Sequence, residues 1–298
     1  MKRLRKLRKL HFGPAGIPHS AKKRSTKEGV LQVKALGLDA MELEFVRGVT
    51  LKPQAAKEVG ALARQLGIVL TVHAPYYINL LSKEEEKVKA SIERILQSAR
   101  IGSMAGAWSV CFHAGYYMGR DPSEAYRIVR KRLEEVVEAL KQEGIKIWIR
   151  PEVTGKPSQF GDLEEVLSLS EELDMVLPVV DFAHLRARRR GVPNAYEEFC
   201  EVLSLIENRL GKEGLNNMHI HFSGIEYGEK GERRHLNILE SDTAYEDLVK
   251  ALLEFGVKGV VISESPNLEE DAILLRDAYR RLRRAKRRAK AAKGRGGD

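Results

Sequence analysis

The sequence predicts an α/β protein folded as a single (β/α)8 TIM barrel with basic N- and C-terminal extensions, and three observations carry that prediction. Short apolar, β-branched runs alternate with longer amphipathic segments; eight such runs can be counted; and no Gly/Ser- or Pro-rich linker interrupts the alternation. A chain of 298 residues exceeds the usual domain size but falls within the range of one barrel.

The expected strands, in order, are LHFGPAG (10–16), AMELEFV (40–46), IVLTVHAP (68–75), WSVCFHAG (108–115), KIWIRPEV (146–153), VLPVVDFAH (176–184), MHIHFSG (218–224) and GVVISES (259–265). Between them lie helical patterns such as KEEEKVKASIERILQSARIGS, PSEAYRIVRKRLEEVVEALKQEG and AYEDLVKALLEFG. Several of these reach a Gly where a left-handed residue would close the helix. A doubly wound open sheet is the competing architecture, but no GxGxxG turn and no phosphate-loop signature follows a strand. The expected organisation is a basic N-terminal extension over 1–9, the barrel over 10–283, and a basic, flexible tail over 284–298.

Two cysteines, Cys111 and Cys200, argue against a disulfide scaffold and against a Cys-rich zinc site. Any metal would have to be held by His and carboxylates. Neither a membrane-spanning apolar run nor a secretory signal is visible, so a cytoplasmic protein, and a monomer, is expected. The net charge of +9 favours a polyanionic partner, since neutralised phosphates release counterions. Both ends, MKRLRKLRKL and RRLRRAKRRAKAAKGRGGD, are strongly basic. The plain reading of such ends is a solvated extension.

Barrel chemistry sits where strands end and βα loops begin, above layers packed with branched apolar side chains. Polar residues recur there on strand after strand: His73, His113, Glu152, Asp181 with His184 three residues on, His219 and His221, and Glu264, with His235 on the loop that follows strand seven. His219 and His221 share a face, because strand side chains alternate. Any one of these residues alone is more simply a hydrogen-bonded core or loop group. Together they would be costly to bury unless divalent metal balanced the carboxylates and occupied the imidazole lone pairs. Such ligands suit zinc, manganese, iron or cobalt. A single catalytic zinc needs about three protein ligands, so this set points to more than one ion and to phosphate ester hydrolysis, in which paired ions activate water and stabilise the attacking and leaving oxygens.

These motifs resemble endonuclease IV, the metal-dependent apurinic/apyrimidinic endonuclease of the xylose-isomerase-like barrels. HAPYYINL after strand three, FHAGYY, RPEVTGKPSQFG, DFAH and ISESP carry the resemblance along most of the barrel. The resemblance implies that His73 and His113 bind one zinc and that Glu152 bridges to a second held by Asp181, His221 and Glu264. His184 and His235 would serve a third ion, so two or three zinc ions are implied. The family's third site uses Asp-x-His, whereas here Arg233 stands two before His235 in GERRHLNI, with Glu232 as a substitute ligand. Glu152 and Glu264 are the residues expected to act in catalysis.

The resemblance also implies double-stranded DNA carrying abasic lesions as the partner. Tyr76 matches the tyrosine that enters the minor groove, and Tyr77 follows it; an exposed aromatic can wedge between base steps. Lys156, Arg186, Arg188, Arg189 and Arg190 are expected to contact phosphates. For Glu42 a buried pair with an arginine is expected. The expected activity is hydrolysis of the phosphodiester 5′ to an abasic site. The alternative is a mononuclear sugar isomerase or epimerase of the same superfamily using only Glu152, Asp181, His221 and Glu264. A metal-free, catalytically inert nucleic-acid-binding barrel is a third.

Overall fold

Eight parallel strands form the barrel: β1 (Leu10–Pro14), β2 (Ala40–Glu44), β3 (Val69–His73), β4 (Ser109–Phe112), β5 (Trp148–Pro151), β6 (Val179–Asp181), β7 (Met218–Phe222) and β10 (Gly259–Ser263). Each falls inside one of the eight expected runs. The computed structural model describes residues 4–293. Hydrogen bonds join β2, β3, β4 and β5 in one arc and β1, β10, β7 and β6 in the other. Bridges Ala15–Glu42, Ile149–Val176 and Glu152–Val179 close the two seams.

Helices α1 (Thr26–Ala35), α2 (Pro53–Leu66), α3 (Glu85–Met104), α4 (Pro122–Gln142), α5 (Leu163–Glu172), α7 (Tyr196–Leu215), α8 (Tyr245–Glu254) and α9 (Glu269–Lys293) surround the barrel. Local chemistry sets their ends. Asp162 accepts from the Glu164 amide while Glu165 reaches back to the cap, a reciprocal capping box at the start of α5. The Gly144 and Gly256 that follow α4 and α8 take left-handed φ values of 69° and 66°.

Two features lie outside the eightfold repeat. A short helix, α6 (Phe182–Arg188), starts directly at the end of β6, and an antiparallel hairpin, β8 (Gly224–Gly228) with β9 (Gly231–Leu236), stands where the sequence predicts a loop. Both sit over the mouth.

The boundaries expected for the extensions need correction. Leu7 is buried against Ala40, Val69, Trp108 and Trp148 at the starting ends of the strands, with Leu4 packed beside it. Trp108 Nε1 donates to Arg5 O at 2.8 Å. The N-terminal segment therefore plugs the closed end of the barrel, because its leucines recur every third residue among the charges. At the other end α9 runs through Arg284 to Lys293 without a break. The expected boundary at 283 thus falls inside a helix; residues 1–3 and 294–298 lie outside the described residues. No helix among the described residues is long and apolar enough to cross a membrane.

Candidate metal centre

The mouth collects its polar groups from the ends of six strands, α6 and the hairpin. His73 is the last residue of β3; its Nδ1 lies 2.7 Å from Ala74 O, which makes Nδ1 the protonated nitrogen and turns the Nε2 lone pair inward. His73 Nε2 then lies 3.3 Å from Glu152 Oε2, and His113 Nε2 lies 3.4 Å from the same oxygen. The other oxygen, Glu152 Oε1, faces His221 Nδ1 at 3.0 Å, and His221 Nδ1 is 3.2 Å from Glu264 Oε1. Glu152 therefore presents one oxygen to each of two donor groups, His73 with His113 and Asp181 with His221 and Glu264.

The spacing Asp181–His184 is explained by a helix cap. Asp181 ends β6 and is also the N-cap of α6: its Oδ1 accepts from the His184 amide at 2.7 Å. That leaves Oδ2 directed into the mouth and sets the His184 ring above it, with Nδ1 3.1 Å from Val153 O. His184 Nε2 consequently faces outward to His235 Nε2 at 3.3 Å, while His235 Nδ1 is held 2.7 Å from Ser223 Oγ. Glu232 Oε2 approaches His184 Nε2 at 3.6 Å. His184, Glu232 and His235 form a third donor group.

Glu232 reaches this position through the hairpin register. Tyr227 pairs with Glu232 and Glu226 with Arg234, so Arg233 is an extra residue, a β-bulge. Gly155 permits the approach: a Cβ there would lie 2.6 Å from Glu232 Cβ and 2.7 Å from Glu232 Oε2. Arg233 itself points to solvent and contacts Glu226.

The donor set fits dications. Glu152 Oε2 and Asp181 Oδ2 are buried without a hydrogen-bond partner, an arrangement that costs free energy unless a cation compensates it. Protonation equilibria point the same way. Burial by itself would lower the His73 imidazole, yet the facing carboxylate of Glu152 and the charges of Glu44 and Glu42 hold it at about 10. His221 and His184 are likewise raised well above the usual imidazole value against the opposing effect of burial, His221 by the charges of Glu264, Glu42 and Glu152 and His184 mainly by Asp181 and Glu152. Burial pushes Glu264 up to about 8, and the charges of Glu152 and Asp181 add to it. The acidic field thus draws protons onto three imidazoles, and metal would compete with those protons for the same lone pairs.

Beneath the mouth, Glu42 lies between two histidines: its oxygens are 2.9 Å from His221 Nε2 and 3.1 Å from His219 Nε2. This corrects the expected pairing of Glu42 with an arginine. Neither contact has the angles of a hydrogen bond, and burial lowers the His219 imidazole to about 4, so the attraction of charge runs between Glu42 and His221. Cys111 completes a donor group with these three residues, but burial and the Glu42 charge push its thiol well up, so it remains protonated. The group reads as a layer that orients His221. His219, whose Nδ1 lies 3.1 Å from Ser109 Oγ, braces it from below. The buried arginine of the interior, Arg150, instead donates to Pro178 O and Asn217 O.

The residues expected to meet DNA divide into two sets. Tyr76 and Tyr77 are 52% and 62% exposed at the rim, with the Tyr76 ring 5.2 Å from that of His73. Arg189 and Arg190 are exposed and Lys156 is half-buried on the β5–α5 loop. Arg186 and Arg188 require correction. Arg186 is 4% exposed and donates to Asp242 at 2.7 Å and to Thr243 Oγ1 at 3.3 Å. Arg188 donates to Asp162, Thr154 Oγ1, Lys156 O and Gln159 O, so it ties down the β5–α5 loop. Their guanidinium groups are already committed to protein acceptors. The sequence offered one signal for this, the acceptor-rich segments SDT and TGKPSQFGD, but not which arginine reaches them.

Comparison with known proteins follows the same pattern. The profile of the xylose isomerase-like TIM barrel matches residues 30–285. The chain belongs to that family. Within the family it is 45% identical over 273 residues to an uncharacterized protein of Methanocaldococcus jannaschii, covering 92% of this chain and 98% of that one. It is 27% identical over 203 residues to the probable endonuclease 4 of Mycoplasma genitalium, covering 66% of this chain and 67% of that protein. Among solved structures, endonuclease IV from Thermus thermophilus superposes with a TM-score of 0.68 at 21% identity, over 90% of this chain and 97% of that one. A D-tagatose 3-epimerase-like protein superposes with a TM-score of 0.70 at 21% identity, over 93% and 99%. These two structural likenesses establish the barrel, a fold that carries more than one chemistry.

Proposed function

We propose that the protein is a metal-dependent DNA repair endonuclease that hydrolyses the phosphodiester 5′ to an apurinic/apyrimidinic site, leaving a 3′-hydroxyl and a 5′-deoxyribose phosphate. The observation that carries this reading is the division of Glu152 between two donor groups, with His73 and His113 on one oxygen and His221 on the other. A mononuclear epimerase needs only the second group, so nothing in that chemistry calls for two further histidines aimed at the first oxygen. Curated relatives described as probable endonuclease 4 support the same reading.

His73, His113 and Glu152 would hold one zinc, Glu152, Asp181, His221 and Glu264 a second, and His184, Glu232 and His235 a third, with manganese as an alternative metal. Bound dications supply Lewis-acid stabilisation of charge on a phosphoryl group and lower the pKa of water. The chain's own residues do the rest. Glu152 keeps the two groups in register from within the barrel. Glu264 is the carboxylate of its group nearest solvent and is placed to exchange a proton with entering water. Tyr76 and Tyr77 present aromatic edges at the rim where a kinked duplex would be wedged open. Of the residues expected to meet phosphates, Lys156, Arg189 and Arg190 keep basic side chains free for that contact near the mouth.

The deciding experiment incubates zinc-loaded protein with a duplex containing one abasic site. Incision on the 5′ side, abolished in His73→Ala, is expected; an uncut duplex, or equal cutting by His73→Ala, overturns the proposal.

A further inference from the structure

A second concentration of basic residues lies at the end of the barrel opposite the mouth. The Arg276 and Arg280 side chains of α9 donate to Leu36 O and Gly37 O, just past the C-terminal end of α1, so α9 has reached the closed end by this point. Leu282 is the last of its residues to pack on the core. From Arg284 to Lys290 every residue is exposed. At a rise of 1.5 Å per residue, the part of α9 from Arg284 to Lys293 projects about 15 Å past the barrel.

That projection is basic all round. Arg284, Lys286, Arg287, Arg288 and Lys290 have no acidic residue among them, the preceding one being Asp277. Arg280, Arg281, Arg284 and Arg288 line one shallow groove together with Asp277 and Ala285. The pairs Arg280–Arg284, Arg284–Arg288, Arg283–Arg287 and Lys286–Lys290 are four apart, so like charges repel along the helix. Among the described residues no apolar packing offsets this repulsion beyond Leu282. A polyanion laid on the helix would.

The N-terminal segment joins the same end. Leu7 plugs the starts of the strands, which leaves Arg5 and Arg8 exposed on either side of it. Lys6 and Lys9 are spent on Glu213 and Asp39. α9 packs beside β1, which continues this segment, so both basic stretches belong to the closed end of the barrel.

We infer that this closed-end surface is a second contact for the DNA backbone, independent of sequence and separate from the metal-bearing mouth, so that one chain can hold duplex at both ends of the barrel. The choice of DNA among polyanions rests on the proposed function; the geometry of the surface does not.

The test uses the full chain carrying Arg284→Gln, Arg287→Gln, Arg288→Gln and Lys290→Gln together, since glutamine keeps the helix propensity. Binding of a short undamaged duplex is measured against salt. The slope of log affinity on log salt should fall by about 3 to 4, given roughly 0.9 per phosphate contact. Sedimentation should find two short duplexes on the parent and one on the variant, with incision of a saturating abasic duplex unchanged. An unchanged slope overturns the inference, as does one duplex on both proteins, or tighter binding of single-stranded RNA than of duplex DNA at equal salt. Because undamaged duplex reports the surface without incision, the two readings fail separately. A lowered slope with no incision by the parent sinks the nuclease reading alone, and an unchanged slope with incision lost only in His73→Ala sinks this one alone.

Discussion

Glu232 and His235 face the same side of β9 although they are three positions apart, because Arg233 is the extra residue of a β-bulge opposite Glu226 and Tyr227. In a regular strand residues three apart point to opposite faces. The bulge restores the pairing of a carboxylate with the imidazole that a two-residue spacing would give, and it turns Arg233 to solvent. The arginine that interrupts the motif in the sequence therefore does not occupy the ligand position.

This makes the third donor group testable by metal content. Glu232→Ala should lower the bound zinc by one ion per chain, and Arg233→Ala should leave it unchanged. Elemental analysis after gel filtration would decide it; retention of all zinc by Glu232→Ala would show that the carboxylate is not a ligand.

Gly155→Ala should have a similar effect by a steric route. The new methyl would meet Glu232 Cβ at 2.6 Å, and the backbone contact Glu232 N to Gly155 O at 3.0 Å ties the two segments together, so the carboxylate must move out. The expected result is loss of one ion with the other groups filled. A variant with full zinc content would count against it.

Metal uptake should release protons at neutral pH. With His73 held at about 10 and His184 and His221 also raised, these imidazoles carry protons at pH 7 that a dication displaces. Apparent zinc affinity should then rise with pH from 6 upward. Calorimetry in buffers of differing ionisation enthalpy counts the protons; release of none would contradict the assignment of these nitrogens as ligands.

Glu42→Gln tests the layer beneath the mouth. Removing the charge beside His221 Nε2 should weaken metal binding by about 10- to 100-fold, the size seen for residues that orient a ligand. The fold should persist, because glutamine fills the same volume. Equilibrium dialysis with zinc is the measurement, and an unaltered affinity would reduce Glu42 to a packing role.

Arg186→Gln separates a structural arginine from a DNA contact. Breaking the buried donor to Asp242 and Thr243 should cost about 1 to 3 kcal/mol of stability, seen as a lower denaturation midpoint. The salt slope of duplex binding should not change. A reduced slope with unchanged stability would return Arg186 to the DNA-contact set.

Much of this was legible in the residues. Eight β-branched runs separated by amphipathic helices determine the barrel, since apolar periodicity is a local property that survives without coordinates. The polar residues that end those runs, from His73 to Glu264, mark the mouth for the same reason: a strand end in this architecture has one place to go. Glu42 shows the limit. Its position on β2 places it inside the barrel, but whether an arginine or two histidines face it depends on the stagger between strands distant in the chain.

Tertiary structure alone decided four things. It gave Arg186 and Arg188 protein partners instead of leaving them for phosphate, it set Glu232 beside His184, it drew Leu7 into the barrel floor, and it carried the basic part of α9 to the end away from the mouth. Each depends on which distant groups meet in space, through a bulge, a cap or a turn whose register local composition does not encode. Spacing along a chain measures contour, whereas a ligand or an ion pair requires an approach of a few ångströms, and only the closed barrel supplies that.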